Sequence, residues 1–90
     1  VRFIWDPVKA TANLKKHGVS FDEATGAFGD PHAQYEPDPG HPERGRLIGT
    51  SRSHRLLFVV HVELLDTAET RIISARKADR KERRRYEEKG

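Results

Sequence analysis

Four side chains near the C-terminus, Arg76, Glu82, Arg83 and Tyr86, and one histidine, His61, are of the types that cleave RNA without a metal. In that reaction the ribose 2′-oxygen attacks its own 3′-phosphate. A base takes the 2′-hydroxyl proton, an acid protonates the departing 5′-oxygen, and fixed positive charge holds the phosphoryl oxygens. Arg76 and Arg83 suit the charge role, because a guanidinium grips a phosphate through two parallel hydrogen bonds. His61, Glu82 and Tyr86 are the candidates for proton transfer, and the sequence does not divide acid from base among them. Each has an ordinary reading beside the chemical one. Arg76 reads equally as a surface arginine and Glu82 as a helix cap, while His61, which interrupts the apolar run LLFVVHVEL, reads as a half-buried histidine bonded to a neighbour.

The charge balance favours a polyanion at this end. Residues 71–90 hold nine of the 17 Lys and Arg and four of the 14 Asp and Glu, a local charge of +5 in a chain whose net charge is +3. Arg80, Lys81, Arg83, Arg84 and Arg85 outnumber the acids near them, and a tyrosine among unpaired arginines can stack a base. Lys77 and Arg80 are therefore read as RNA contacts. Arg52 and Arg55, in a basic turn at 52–55, join them if that turn lies beside the helix. The chain has no cysteine, which excludes a disulfide scaffold, a zinc-thiolate site and a thiol nucleophile. Its five histidines, at 17, 32, 41, 54 and 61, form no i, i+4 pair, so neither a metal site nor a cofactor is expected. Gly26 and Gly29 lack the preceding strand and the following Lys-Ser/Thr of a phosphate loop.

These groups need a scaffold, and the pattern supplies one. Val1–Trp5 alternates as a strand. Asp6-Pro7 caps and opens a helix running to about His17, with Lys15, Lys16 and His17 in its last turn and Gly18 at its C-cap. Asn13 inside it calls for a hydrogen-bonding or packing reason. Ser20 and Glu23 read as a capping box for a second helix, in which Gly26 implies a close approach by another element. Strands follow at His32–Glu36, Arg46–Ser51, Leu56–Leu64 and Thr70–Ala75, with the loop 37–45 and the turn 66–69 between them. The near-continuous apolar run from Leu56 suits a central strand covered on both faces. Alternation places Arg71, Ile73 and Ala75 on one face of the last strand and Ile72, Ser74 and Arg76 on the other. Asp79 and Glu82 form a capping box for a final basic helix. The order β-α-α-β-β-β-β-α predicts an α+β domain with an antiparallel meander. Ninety residues fit one domain, 1–90. The start VRFIWD has no long apolar run, so neither a secretory leader nor a membrane span is expected, and the cytoplasm is the expected location.

Several short runs also resemble one family. Trp5-Asp6, Asn13 with Lys16-His17-Gly18, and above all Ser74-Ala75-Arg76, Glu82-Arg83 and Tyr86-Glu87 stand at the spacing seen in the BrnT toxins of bacterial type II toxin–antitoxin systems. The resemblance spans most of the chain. It implies a RelE-like α+β fold, an antiparallel sheet with two N-terminal helices and a C-terminal basic helix. It implies an endoribonuclease that inhibits translation, with Arg76, Glu82, Arg83 and Tyr86 as its cluster and His61 beside them. The implied partner is a BrnA-like antitoxin that represses the shared operon, so operator DNA is reached only through the antitoxin. A homodimer and a toxin–antitoxin heterotetramer are the assemblies it leaves open. Two rival readings need no such chemistry: a nucleic-acid-binding module using the basic helix for affinity alone, and a domain whose basic helix docks an acidic protein.

Overall fold

A computed structural model describes residues 2–89. Its elements are β1 (Arg2–Ile4), α1 (Pro7–His17), α2 (Phe21–Ala27), β2 (Gln34–Pro37), β3 (Gly45–Thr50), β4 (Leu56–Leu64), β5 (Glu69–Lys77) and α3 (Arg80–Lys89). The first helix begins as its residues dictate. The Asp6 carboxylate accepts from the Val8 N–H at 2.9 Å, Pro7 opens the first turn, and Gly18 closes it in the left-handed region at φ 69°. The second helix departs from its expected box in one respect. Ser20 Oγ accepts from the Glu23 N–H at 2.9 Å, but the Glu23 carboxylate turns instead to residues 51–55, where it meets stronger donors.

The sheet order is β1-β5-β4-β3-β2. Neighbours pair antiparallel from β2 to β5, but β1 joins β5 in parallel, with Phe3 opposite Thr70. The expected antiparallel meander is formed by β2 to β5, and the α+β class is as expected; β1 is the parallel addition, because two helices separate it from the other strands and the chain returns to it only at its last strand. Strand ends also shift. The first strand is shorter than read, and Val1 lies outside the described residues; β2 starts at Gln34, and β5 runs on to Lys77.

Both helices α1 and α2 pack on one face of the sheet. There Val19, Phe21, Leu47, Leu57, Val59, Ile72 and Ala75 are sealed from solvent, with Phe3, Trp5 and Phe28 packed around them. The opposite face carries a smaller cluster, Ile48, Leu56 and Phe58, under Val60, Ala78 and Tyr86. The β4 strand is thus covered on both sides from Leu56 to Val59, as its unbroken apolar run predicted.

A register irregularity corrects the face assignment in β5. Val60 pairs with Ser74 while His61 pairs with Ile72, so Ile73 is the extra residue. A bulge of this kind reverses the alternation on its strand. Ile72 and Ala75, predicted on opposite faces, therefore both enter the helix-covered core, while Arg76 stays on the α3 side opposite Phe58. Asn13 secures this strand. Its amide donates to the carbonyls of Val19 at 3.0 Å and Ala75 at 2.8 Å, and accepts from the Ala75 N–H at 3.2 Å.

Candidate active site

The chain enters α3 through a fully formed capping box. Asp79 accepts from the Glu82 N–H at 2.8 Å, and Glu82 accepts in return from the Asp79 N–H at 2.9 Å. Glu82 is buried, and its carboxylate also receives both terminal nitrogens of Arg76, at 2.9 and 2.8 Å. The hydrogen bonds to Glu82 raise the Arg76 pKa. The Arg76 guanidinium lies 4.3 Å from the Phe58 ring centroid, and Arg46 approaches the same ring at 5.8 Å, both within cation–π range. Arg76 and Glu82, two of the sequence candidates, are therefore joined as one brace between β5 and α3.

Tyr86, one turn beyond Glu82, is held elsewhere. Its hydroxyl donates to Asp30 Oδ2 at 2.5 Å and accepts from the Thr50 hydroxyl at 3.2 Å. Burial, then the bond to Asp30, raises its pKa, so the phenol stays neutral. Burial works to raise the Asp30 pKa, but bonds from Tyr86 and from the Thr50 and His32 N–H groups outweigh it and keep it low.

Beside Tyr86, between α3 and the β3–β4 turn, lies a cleft of about 360 Å³ lined by Thr50, His54, Arg55, Leu56, Lys77, Arg83, Tyr86 and Glu87. It brings together Arg83, Tyr86, Lys77 and Arg55 from the sequence candidates. Among these lining residues Glu87 stands against Lys77 and Arg83, while Arg55 is paired with Glu23, so the balance of the cleft still favours an anion.

The turn that forms the far wall is tied down by Glu23. Its carboxylate accepts from Ser51 Oγ at 2.8 Å, Ser53 Oγ at 3.2 Å and Arg55 Nε at 2.8 Å, with a second close contact to Arg55 Nη2. Arg55 also donates to the Gly18 carbonyl at 2.9 Å. The Arg55 hydrogen bonds hold the Glu23 pKa down at about 2, against burial. A carboxylate with its pKa depressed on folding stabilises the fold above its unfolded pKa near 4.5 and loses that stabilisation as pH falls toward 2. Glu23→Gln should remove on the order of 2–3 kcal/mol at pH 7 and far less near pH 2. Thermal unfolding of the two proteins at both pH values checks this; an equal difference at both would place the effect outside the ionisation.

The remaining candidates stand apart. Arg52 packs over α2: a Cβ at Gly26 would lie 3.1 Å from Arg52 Cγ and from its backbone nitrogen, which is the close approach that Gly26 implied. Arg80 is exposed on the first turn of α3. His61 lies on the helix-covered face with Leu57 and Val59, across the sheet from Phe58 and Arg76. Its ring meets Phe28 and Tyr35 edge-on at 5.0 and 6.3 Å, and its Nδ1 is buried with no hydrogen-bond partner among the described residues. Burial lowers its pKa, with Glu63 opposing. Gly45 makes its room, since a Cβ there would stand 2.9 Å from Nε2. The fold thus separates His61 from the cluster with which it was grouped.

Sequence reading did not single out Asp30, His54 or the reach of Glu23. Asp30 lies in Gly29-Asp30-Pro31, a run whose residue types mark the end of a helix and nothing more. His54 stood only among the five histidines and inside the basic turn at 52–55.

Comparison with known proteins bears on the family and the fold. A family model described as "Ribonuclease toxin, BrnT, of type II toxin-antitoxin system" matches residues 5–82. The crystal structure of the Brucella abortus ribonuclease toxin BrnT is similar to this fold with a TM-score of 0.71, at 23% identity, over 89% of this chain and 100% of that one. No curated protein matches.

Proposed function

The chain belongs to the BrnT ribonuclease toxins of type II toxin–antitoxin systems, and from that premise we propose that it is a metal-independent endoribonuclease whose substrate lies in the α3 cleft. The observation that carries this reading is the convergence of Lys77 from β5 with Arg83 and Tyr86 from α3 on one open cleft. Lys77 and Arg83 hold the scissile phosphate, Tyr86 offers a ring face to a neighbouring base, and Arg80 and Arg52 extend the basic surface. Cleavage proceeds by attack of the 2′-hydroxyl and inhibits translation by destroying RNA. Arg76 and Glu82 keep the β5–α3 junction in place, and Arg76 supplies further positive charge. A BrnA-like antitoxin neutralises the toxin by covering α3, whose acid-poor face suits an acidic segment.

The absence of cysteine and of paired histidines motivates the test. Purified protein is expected to cleave RNA in excess EDTA at the same rate as without it, leaving 2′,3′-cyclic phosphate ends. Loss of cleavage in EDTA, restored by a divalent ion, would end the metal-free mechanism. RNA shifted on a gel but left intact would favour the binding module, and indifference to RNA would favour the protein-docking domain.

A further inference from the structure

Three groups were candidates to move protons, and the fold occupies two of them and sets the third apart from the cleft. Glu82 receives both terminal nitrogens of Arg76 and the Asp79 N–H. Tyr86 commits its proton to Asp30. His61 lies on the other side of the sheet. The cleft nevertheless contains an imidazole, that of His54, in the wall opposite α3.

Its backbone is unusual. His54 has φ 64°, in the left-handed region where a side chain other than glycine is uncommon. Such a conformation persists only where the surroundings over-determine it. They do so here: the His54 N–H donates to the Ser51 carbonyl at 2.9 Å, the Arg55 N–H donates to Ser51 Oγ at 3.3 Å, and Glu23 gathers Ser51, Ser53 and Arg55 on either side of it. Glycine would suit this φ better. The turn instead spends its anchoring on an exposed imidazole at the mouth of a cationic cleft.

We propose that His54 is a catalytic residue of the ribonuclease, the group that takes the 2′-hydroxyl proton of the bound RNA. The proposal rests on the ribonuclease reading and adds to it a named base. With the phosphate between Lys77 and Arg83, a ring nitrogen of His54 accepts the proton as the 2′-oxygen–phosphorus bond forms. The phosphorus–5′-oxygen bond breaks, and the imidazolium returns that proton to the 5′-oxygen. The products are a 2′,3′-cyclic phosphate and a 5′-hydroxyl, with no net proton consumed. The groups that face His54 are Thr50 of β3, Arg55 of its own turn, Lys77 of β5, and Arg83, Tyr86 and Glu87 of α3. Imidazole is the side chain best suited to exchange a proton near neutrality.

The informative variant is His54→Gly, because glycine adopts the native φ without cost and leaves room for a free ring. Its melting temperature should equal or exceed that of the parent. At saturating RNA its kcat should fall by about 100- to 10,000-fold, the range of a positioned acid–base group. The limb of the pH–rate profile that falls toward acid, where the base becomes protonated, should be absent. Added imidazole should restore part of the rate. A His54→Gly protein that cleaves at the parent's rate overturns the assignment and leaves the ribonuclease reading standing. So does a slow variant that keeps the acid limb and ignores imidazole, which would give His54 a role in shaping the turn alone. A parent that leaves RNA intact removes both.

Discussion

Arg76→Ala is expected to relieve growth arrest in cells and to lower the unfolding free energy by about 2–3 kcal/mol. The stability effect follows from what the substitution leaves behind. Glu82 would keep its buried carboxylate but lose both guanidinium donors. Breaking a fully buried pair costs about 3–5 kcal/mol. The Arg76 side chain is 36% exposed, so solvent screening reduces the figure. In a domain of this size that loss lowers the melting temperature by roughly 10–20 °C. The effect on activity needs to be separated from the effect on folding. Glu82→Gln added to Arg76→Ala removes the stranded charge and should recover part of the lost stability, a non-additivity that a double-mutant cycle reads directly. If Arg76 also holds phosphoryl oxygens in the transition state, the double variant stays slow by the equivalent of about 2.7–4 kcal/mol, and saturating RNA does not restore it. A folded Arg76→Ala protein that remains fully toxic would limit Arg76 to bracing α3.

Asn13→Ala is expected to destabilise the fold by about 3–5 kcal/mol, as much as truncating a large core side chain. The β1 strand pairs with β5 only from Glu69 to Arg71. Higher up the strand, Asn13 serves as partner, contacting both the N–H and the carbonyl of Ala75 while also holding the Val19 carbonyl. Truncation leaves three backbone groups without this partner in a buried setting, at about 1–3 kcal/mol each before relaxation and water entry. Against a typical total stability of about 5–15 kcal/mol, the variant approaches unfolding at body temperature. Urea denaturation measures the loss, and amide exchange at Ala75 locates it. A loss below about 1 kcal/mol would mean that water replaces the amide readily. Because Ala75 precedes Arg76, the same change should loosen the entrance to α3.

Features determined within a few residues were legible in the sequence. Asp6-Pro7, Gly18, Ser20 and the Asp79–Glu82 box are local arrangements of donors and acceptors, and each forms where its residue types require. The burial of β4 was legible because a strand covered on both faces has no polar alternation to preserve. Asn13 announced an unexplained amide, though not the strand 62 residues away that uses it. What stayed hidden depends on pairing across the chain. Nothing in RIISAR marks Ile73 as the extra residue, because a bulge is defined by two strands and not one. Glu23 looked like half of a capping box because that alternative is the nearest one; Arg55, 32 residues on, is the stronger partner. The Tyr86–Asp30 bond spans 56 residues and commits to Asp30 the proton that made Tyr86 a candidate for proton transfer. The cleft itself was partly legible, through the surplus of cations in 76–86. The placement of His54 was not, since it depends on a turn conformation imposed by Glu23.

The position of β5 has a consequence for how the chain comes into being. It is the last strand in the sequence, yet it lies inside the sheet, between β1 and β4. During synthesis the first helix emerges long before the strand that holds its Asn13, and β1 must wait for residues 69–71 before it has any neighbour. Pairings so distant along the chain close slowly, because the intervening segment must first give up its freedom. A nascent chain short of residue 69 lacks Ile72 and Ala75 from its core and lacks all of α3. Its helices would have only part of a sheet to pack on, and no cleft would exist. The cationic cleft, whose walls include Lys77 of β5 and Arg83, Tyr86 and Glu87 of α3, is therefore complete only once the last strand and helix have been made.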